Sequence, residues 1–164
     1  MQVELDSVDL QILELLQADA RITMRALGAA VGLSGPAVTE RVRRLEDRGI
    51  IRGYHAEVDP GLLGLSVVAF IALGAPYEEH VPGRFEAQIH EIQEVVECYR
   101  ISGEDRYLVK VFAADIPALQ EVLDRLRGFS RVRSAVVLNA LKRQSTLRPP
   151  RSTRRQPVFH HGAD

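Results

Sequence analysis

Only one cysteine, Cys98, occurs in the 164 residues, tryptophan is absent, and aromatic residues make up 5% of the chain. A single thiol excludes an internal disulfide framework, and its place inside an apolar run predicts a buried structural thiol. The longest apolar run, Leu62 to Ala75, is too short to cross a bilayer, and the N-terminus lacks the basic start of a signal sequence. A cytoplasmic protein with no membrane partner is expected. The signs of catalysis are missing too. His55, His80, His90, His160 and His161 show no ligand spacing with Cys98 or with carboxylates, apart from the adjacent tail pair, so no metal site is expected. There is no Gly-rich phosphate loop and no nucleophile elbow, and the neighbouring Glu78 and Glu79 fall at a helix start, where acidic residues favour the dipole. Neither a catalytic residue nor a cofactor is expected.

What the chain does have is a patterned stretch from Thr23 to Arg48, which reads as two short helices joined by a Gly-containing turn. Ser34 is placed to cap the second helix, with Pro36 tolerated in its first turn because that turn lacks intrahelical acceptors. Val38, Val42 and Leu45 fall at i, i+4 and i+7 and form one apolar stripe, while Pro36, Glu40, Arg43 and Arg44 lie on roughly the opposite side. Arg41 flanks the stripe, its stem packing and its head reaching outward. Ile22 before a Thr23 cap, with Leu27 four residues on, fits a hydrophobic staple. Ala26, Leu27, Ala30 and Val31 supply a small-residue packing face. Upstream, Val8, Ile12, Leu15 and Leu16 share one face of a further helix, capped by Asp6 or Ser7. Downstream, Gly49 ends the third helix and Ile50 to Val58 reads as a short strand. The outcome is a winged helix-turn-helix, and it points to double-stranded DNA.

The overall charge of −1 conceals a local excess. All arginines of the first sixty residues fall between Arg21 and Arg52, opposed within that window only by Glu40, Glu46 and Asp47. Positive charge is thus concentrated where phosphate would lie. Pro36, Ala37, Thr39, Glu40, Arg43 and Arg44 are the candidates for the major groove, with Ser34 and Arg41 placing the helix. Arg43 or Arg44 could donate bidentately to guanine, and Glu40 could accept from cytosine. The plainer reading is a solvated amphipathic helix with Glu40 and Arg44 paired at i, i+4.

Asp59, Pro60, Gly61 and Gly64 mark a connection, which divides the chain into a DNA-binding domain over 1–58, a linker over 59–65, a second domain over 66–143 and a basic flexible tail over 144–164. From Ser66 the pattern is strand (66–75), helix (about 80–93), strand (95–101), strand (106–113), helix (116–127) and strand (131–141). This βαββαβ order is the ferredoxin-like split, an antiparallel sheet with helices on one side only, so the fold class is α+β. The strands around Val67 to Ile71, Tyr107 to Phe112 and Ala135 to Leu138 are apolar on both faces, and an uncovered apolar face predicts a twofold dimer packed sheet to sheet.

With both halves read, the chain resembles the Lrp/AsnC family of feast/famine transcriptional regulators over residues 3 to 143. The motifs that carry the likeness are LDSVDLQILELLQADARIT from Leu5, VGLSGPAVTERVRRLEDRGIIRGYHAEVDPGLLG from Val31 and SGEDRYLVKV from Ser102. The resemblance implies a nucleoid-associated regulator that dimerises through its second, RAM domain, assembles to octamers in many members and senses an amino acid or related metabolite. It places that effector between subunits, near a Gly-x-x-Asp-like loop joining the second and third strands. Ser102, Gly103, Glu104, Asp105 and Arg106 occupy that loop here, with Gly103 and Asp105 one residue closer than the family spacing. In physical terms Gly103 lets backbone N–H groups approach a carboxylate, and Glu104 or Asp105 could accept from an α-ammonium. A plain hairpin uses the same residues. Two other readings stand beside this one: a ligand-independent DNA-organising or autoregulatory protein, and a winged-helix module for protein contacts.

Overall fold

The computed structural model describes residues 5–76, 84–128, 130–142 and 145–149. The chain divides into two units: the first holds the helices up to Ala56 together with the chain from Lys142 onward, and the second spans Glu57–Leu141.

Three helices build the first unit: α1 (Ser7–Ala18), α2 (Met24–Val31) and α3 (Gly35–Asp47). Each starts on a residue that accepts from its own first turn. The Asp6 carboxylate takes the Asp9 N–H at 2.8 Å and Asp9 returns the contact, a reciprocal capping box. Thr23 and Ser34 take the N–H groups of Ala26 and Ala37. Ile12, Leu16, Leu27, Val38, Val42 and Leu45 meet in one core, with Ile22, Val31 and Ile50 packed against it. Burying each such side chain stabilises the unit by about 1.5–3 kcal/mol.

The close crossing of α2 and α3 comes from Gly28 and not from the alanines. Ala26 and Ala30 are exposed, whereas Gly28 is buried beneath Leu33 and Val38. Gly32, at φ +70°, then turns the chain left-handed into α3, a conformation that a side chain disfavours. At the other end of α3 the Ile50 N–H reaches back to the Leu45 carbonyl and the Gly49 N–H to Glu46, the paired closure of a Schellman motif.

Residues 50–58, expected as a strand, enter no ladder. A strand exists only where another supplies its hydrogen-bond partners, and among the described residues none does so here. The chain from 145 to 149 also differs from a free tail. The Leu147 backbone donates to and accepts from the Gln17 side chain, at 2.8 and 3.2 Å, and Arg148 pairs with Glu14 on the same helix. The remainder of the expected tail, 150–164, lies outside the described residues.

In the second unit a 3-10 turn (Gly61–Leu63) precedes β1 (Val67–Pro76), α4 (Arg84–His90), β2 (Val95–Arg100), β3 (Tyr107–Ala113), α5 (Ile116–Arg127) and β4 (Ser130–Val136). The strands form one antiparallel sheet in the order β2-β3-β1-β4. That is the expected split βαββαβ. Ala69, Ile71, Leu73, Val109 and Val111 point to one face, where Phe85, Ile89 and Ile92 and the α5 residues Leu119, Val122, Leu123 and Leu126 cover them. The alternation along β3 is strict: Tyr107, Val109, Val111 and Ala113 are buried, and the residues between them are half-buried.

Several expectations shift at the margins. The first helix of this unit ends at His90 and the last strand at Val136, both earlier than their apolar patterns run; Val81 and the stretch 77–83 lie outside the described residues. Beyond Val136 one further bond, Val137 N–H to the Val68 carbonyl, closes the ladder. Cys98 is exposed and not buried. It stands in an edge strand, where a register shift between Val95 and Glu97 interrupts the alternation on which a buried position depends.

A Cβ added at Gly28 would stand 2.7 Å from the Leu33 backbone oxygen and 3.3 Å from Val38 Cγ1. Because a backbone oxygen cannot swing aside, G28A should destabilise the first unit by about 1–3 kcal/mol, although alanine favours a helix by about 1 kcal/mol over glycine. Thermal denaturation of the full chain checks this.

Candidate functional site

The buried stripe of α3 fixes its other flank outward. Ser34, Pro36, Ala37, Thr39, Glu40, Arg43 and Arg44 are all exposed, as an interface helix requires. Arg41 alone is half-buried, and its head does not reach outward. One guanidinium nitrogen donates to Asp6 at 2.6 Å and to Asp9 at 2.8 Å, tying α3 to the start of α1. The Asp9 N–H first, and Arg41 second, hold the Asp6 carboxyl below its ordinary value of 3.8. A depressed folded pKa stabilises at pH values above the unfolded one, so this tie is fully present near neutrality and is lost as pH falls through the lowered value.

Arg43 is engaged as well. It makes a two-pronged contact with Glu40, at 2.8 and 3.0 Å, and its third nitrogen reaches Asp47 at 2.8 Å. Glu40 therefore pairs one residue nearer than the expected Arg44, because the i, i+3 geometry admits both prongs of the guanidinium fork. Arg43 pulls the Glu40 carboxyl below the usual carboxylate range, and Glu40 raises Arg43 in turn. All three side chains are more than half exposed, so the contacts are exchangeable at little cost. Among the described residues Arg44 has no ion-pair partner, and neither do Arg21, Arg25, Arg48 or Arg52.

An open cleft of about 460 Å³ runs beside this surface, lined by Leu16, Ala20 and Met24 on one side and Thr39, Arg43 and Glu46 on the other, with Tyr54 at its margin. The Tyr54 hydroxyl donates to Glu46 at 2.9 Å; partial burial and that carboxylate push the phenol up to about 12, so it stays a donor at any working pH. The Tyr54 contact had no signal in the sequence, since a loop tyrosine and a helix glutamate eight residues apart meet only once the helix has ended at Gly49.

The second candidate region is the loop between β2 and β3. Gly103, at φ +120°, turns it, and the loop is pinned by the Arg106 N–H on the Leu73 carbonyl and the Ile101 N–H on the Arg106 carbonyl. Ser102, Gly103, Glu104 and Arg106 are exposed, while the Asp105 side chain is only 11% exposed. Two residues that sequence reasoning missed meet it. Arg131 of β4 pairs with Glu104, and Arg133 of the same strand pairs with Asp105 and lies 3.7 Å from Glu104. Their i, i+2 spacing puts both on one face of the sheet, and that alternation was the available signal. Gly74 makes room for them: Arg131 Cβ would stand 3.4 Å from a side chain there. Asp105 Oδ1 is buried with no hydrogen-bond partner.

The same face carries Val68, Phe70 and Ala72 of β1, Leu108 and Phe112 of β3 and Tyr99 of β2, and α4 and α5 of this unit pack on the opposite face. Phe70 is 39% and Tyr99 52% exposed. Lys110 lies among them, bonded to Glu97 at 2.8 Å and 5.5 Å from the Phe112 ring centre. Among the described residues no group of three His, Cys, Asp or Glu side chains is placed to hold a metal ion, and no helix is long and apolar enough to cross a membrane.

Residues 5–52 match the winged helix-turn-helix DNA-binding model and residues 68–147 the Lrp/AsnC ligand binding domain. The HTH-type transcriptional regulator LrpA of Mycobacterium tuberculosis is 38% identical over 141 residues, covering 85% of this chain and 93% of its own length. The chain belongs to the Lrp/AsnC family. Among solved structures, Bacillus subtilis LrpC superposes with a TM-score of 0.80 at 34% identity, over 87% of this chain and all of its own. A Neisseria meningitidis transcriptional regulator in complex with L-methionine gives 0.81 at 31% identity, over 88% of this chain and 97% of its own. This Lrp/AsnC protein is thus a DNA-binding transcriptional regulator, and its relatives are regulators and not enzymes.

Proposed function

We propose that this regulator reads duplex DNA with the outward flank of α3 and is switched by an amino acid bound at the β2–β3 loop. On the DNA side, Arg44 is the first candidate for a guanine or phosphate contact, because among the described residues it has no ion pair in contact to break and only helps Arg43 to hold the charge on Glu40. Arg43 follows only when it exchanges Glu40 and Asp47 for the duplex, which frees Glu40 to accept from cytosine. Thr39, Pro36 and Ala37 line the same flank, and Ser34 offers the N-terminal end of the helix to a phosphate. Arg41 acts indirectly, by holding the helix against α1.

On the effector side one observation carries the reading: the orphaned Asp105 Oδ1. A buried acceptor without a donor is costly, and an α-ammonium supplies the missing donor. The arginines of β4 and the Gly103 backbone are suited to the α-carboxylate. The matched ligand-binding domain and the L-methionine complex of the Neisseria relative support an amino acid as the class. The competing reading is a hairpin locked by Arg131 and Arg133, in a regulator that needs no effector.

The apolar sheet face is assigned to a second copy of the chain. Phe70, Phe112, Leu108 and Tyr99 lie around the Lys110–Glu97 pair on a face that a twofold partner covers with its own, and two heads on one duplex are what a helix-turn-helix of modest charge requires. Action in the cytoplasm, on the nucleoid, follows from this role.

Three outcomes are expected. R44A should lower affinity for a duplex carrying the upstream region of the protein's own gene by about ten- to a hundredfold, the effect of removing one base or phosphate interaction with its specificity; unchanged affinity in a gel-shift series would take α3 off the DNA. F70E should sediment as a monomer where the parent sediments as a dimer or higher assembly. Calorimetric titration with the twenty amino acids should give heat with at least one of them, and D105N should abolish it; no heat with any would leave the locked hairpin.

A further inference from the structure

We propose that Arg133 is a gate on the β2–β3 loop: it holds Asp105 in the free chain and releases it only to a ligand that carries both an ammonium group and a carboxylate. The inference rests on the effector reading of that loop given above and adds how the site opens.

The gate follows from the order of the strands. β1 lies between β4 and β3, so a side chain of β4 meets the loop ahead of β3 only by lying across β1. Two small residues leave that path open. Ala72 is the ladder partner of Arg133, and Gly74 is buried, with Arg131 Cβ and Nε at 3.4 and 3.9 Å from where its own Cβ would stand. Neighbouring strands are about 4.8 Å apart, a crossing that the long arginine side chain spans. Arg131 ends on Glu104, and Arg133 ends on Asp105 with Glu104 at 3.7 Å.

The partners in the Arg133–Asp105 pair are not equivalent. The Arg133 side chain is 54% exposed and the Asp105 side chain 11%. Water can take back the guanidinium at little cost, whereas the carboxylate would be left ionised and largely dry. The pair is therefore built to exchange and not simply to open. Asp105 Oδ1 adds a second condition, because it is buried and has no donor. An incoming donor needs an opening there, and Arg133, bonded to the other oxygen of the same carboxylate, is the exposed side chain that can swing away. An ammonium compound without a carboxylate competes for Asp105 against a tethered cation, which has the advantage of a high effective concentration. A carboxylate alone draws Arg133 off and strands Asp105. One molecule with both groups replaces each contact that it breaks: its ammonium takes Asp105, and its carboxylate takes the fork of the released guanidinium. Arg131 keeps Glu104 throughout, so the loop stays tied to β4 during the exchange.

The test is calorimetric titration of the full chain with L-methionine and with L-methioninamide, which keeps the ammonium group but has no carboxylate. A pH of about 6.5 keeps that ammonium charged. The parent should bind L-methionine and exclude the amide. R133A should gain the amide, with an affinity about ten- to a hundredfold above the parent, the range expected when a charged hydrogen bond no longer has to be displaced. R133K restores the cation and should shut the amide out again. Melting curves of both variants should match the parent, since the side chain at 133 is more than half exposed. Equal affinity of the amide for the parent and R133A overturns the gate, whether or not L-methionine binds. So does amide binding in R133A that R133K leaves intact. Where the effector reading alone is wrong, the parent stays silent to all twenty amino acids while R133A still gains the amide.

Discussion

The burial of one stripe of α3 governs everything else in the first unit. Val38, Val42 and Leu45 are at most 5% exposed, and a thirteen-residue helix that gives these positions to a core has only one way to direct Thr39, Glu40, Arg43 and Arg44. Gly28 allows the approach, Ser34 starts the helix, and the closure at Gly49 and Ile50 stops it. The orientation of the polar flank is therefore set by hydrophobic packing and steric contact, with the Arg41 tie to Asp6 and Asp9 beside them, and not by the exposed charges of Glu40, Arg43 and Arg44.

Those charges are distributed unequally among partners. Arg41 is committed to Asp6 and Asp9 inside the unit, Arg43 is held by exposed carboxylates it can leave, and Arg44 has no ion pair in contact among the described residues. A count of arginines overstates the positive field of this surface, because part of it is already neutralised by neighbours on the same helix or the next. The second unit shows the same economy of opposite signs: the acidic loop residues Glu104 and Asp105 are matched by two arginines from a strand distant in sequence. In both places the question for function is which ion pairs are permanent and which can be exchanged.

The architecture was legible because it rests on periodicity and caps. Thr23 and Ser34 cap where their residue types and the following apolar spacing indicated, Asp6 is the one of the two candidates Asp6 and Ser7 that caps α1, and the βαββαβ order follows from two amphipathic helices set between strands. Contacts between residues far apart in sequence were not legible. Arg41 on Asp9, Arg133 on Asp105 and Gln17 on Leu147 join elements whose relative placement only the folded chain provides. Cys98 was misjudged because composition alone does not distinguish an edge strand from a central one, and residues 50–58 because strand-like residues do not create a partner. Gly28 was passed over in favour of Ala26 and Ala30, since spacing indicates that two helices cross closely but not which small residue lies at the point of closest approach.

Strand β2, interrupted by the shift between Val95 and Glu97, and strand β4 form the two rims of the sheet. Intact rims would template the addition of further chains strand by strand, the route to open-ended polymers. Here one rim is broken by an offset residue, and the other carries Arg131 and Arg133, long charged side chains whose pairing with Glu104 and Asp105 would have to be disturbed for another strand to dock. Growth along the hydrogen-bonding direction is thereby discouraged at both margins of the sheet.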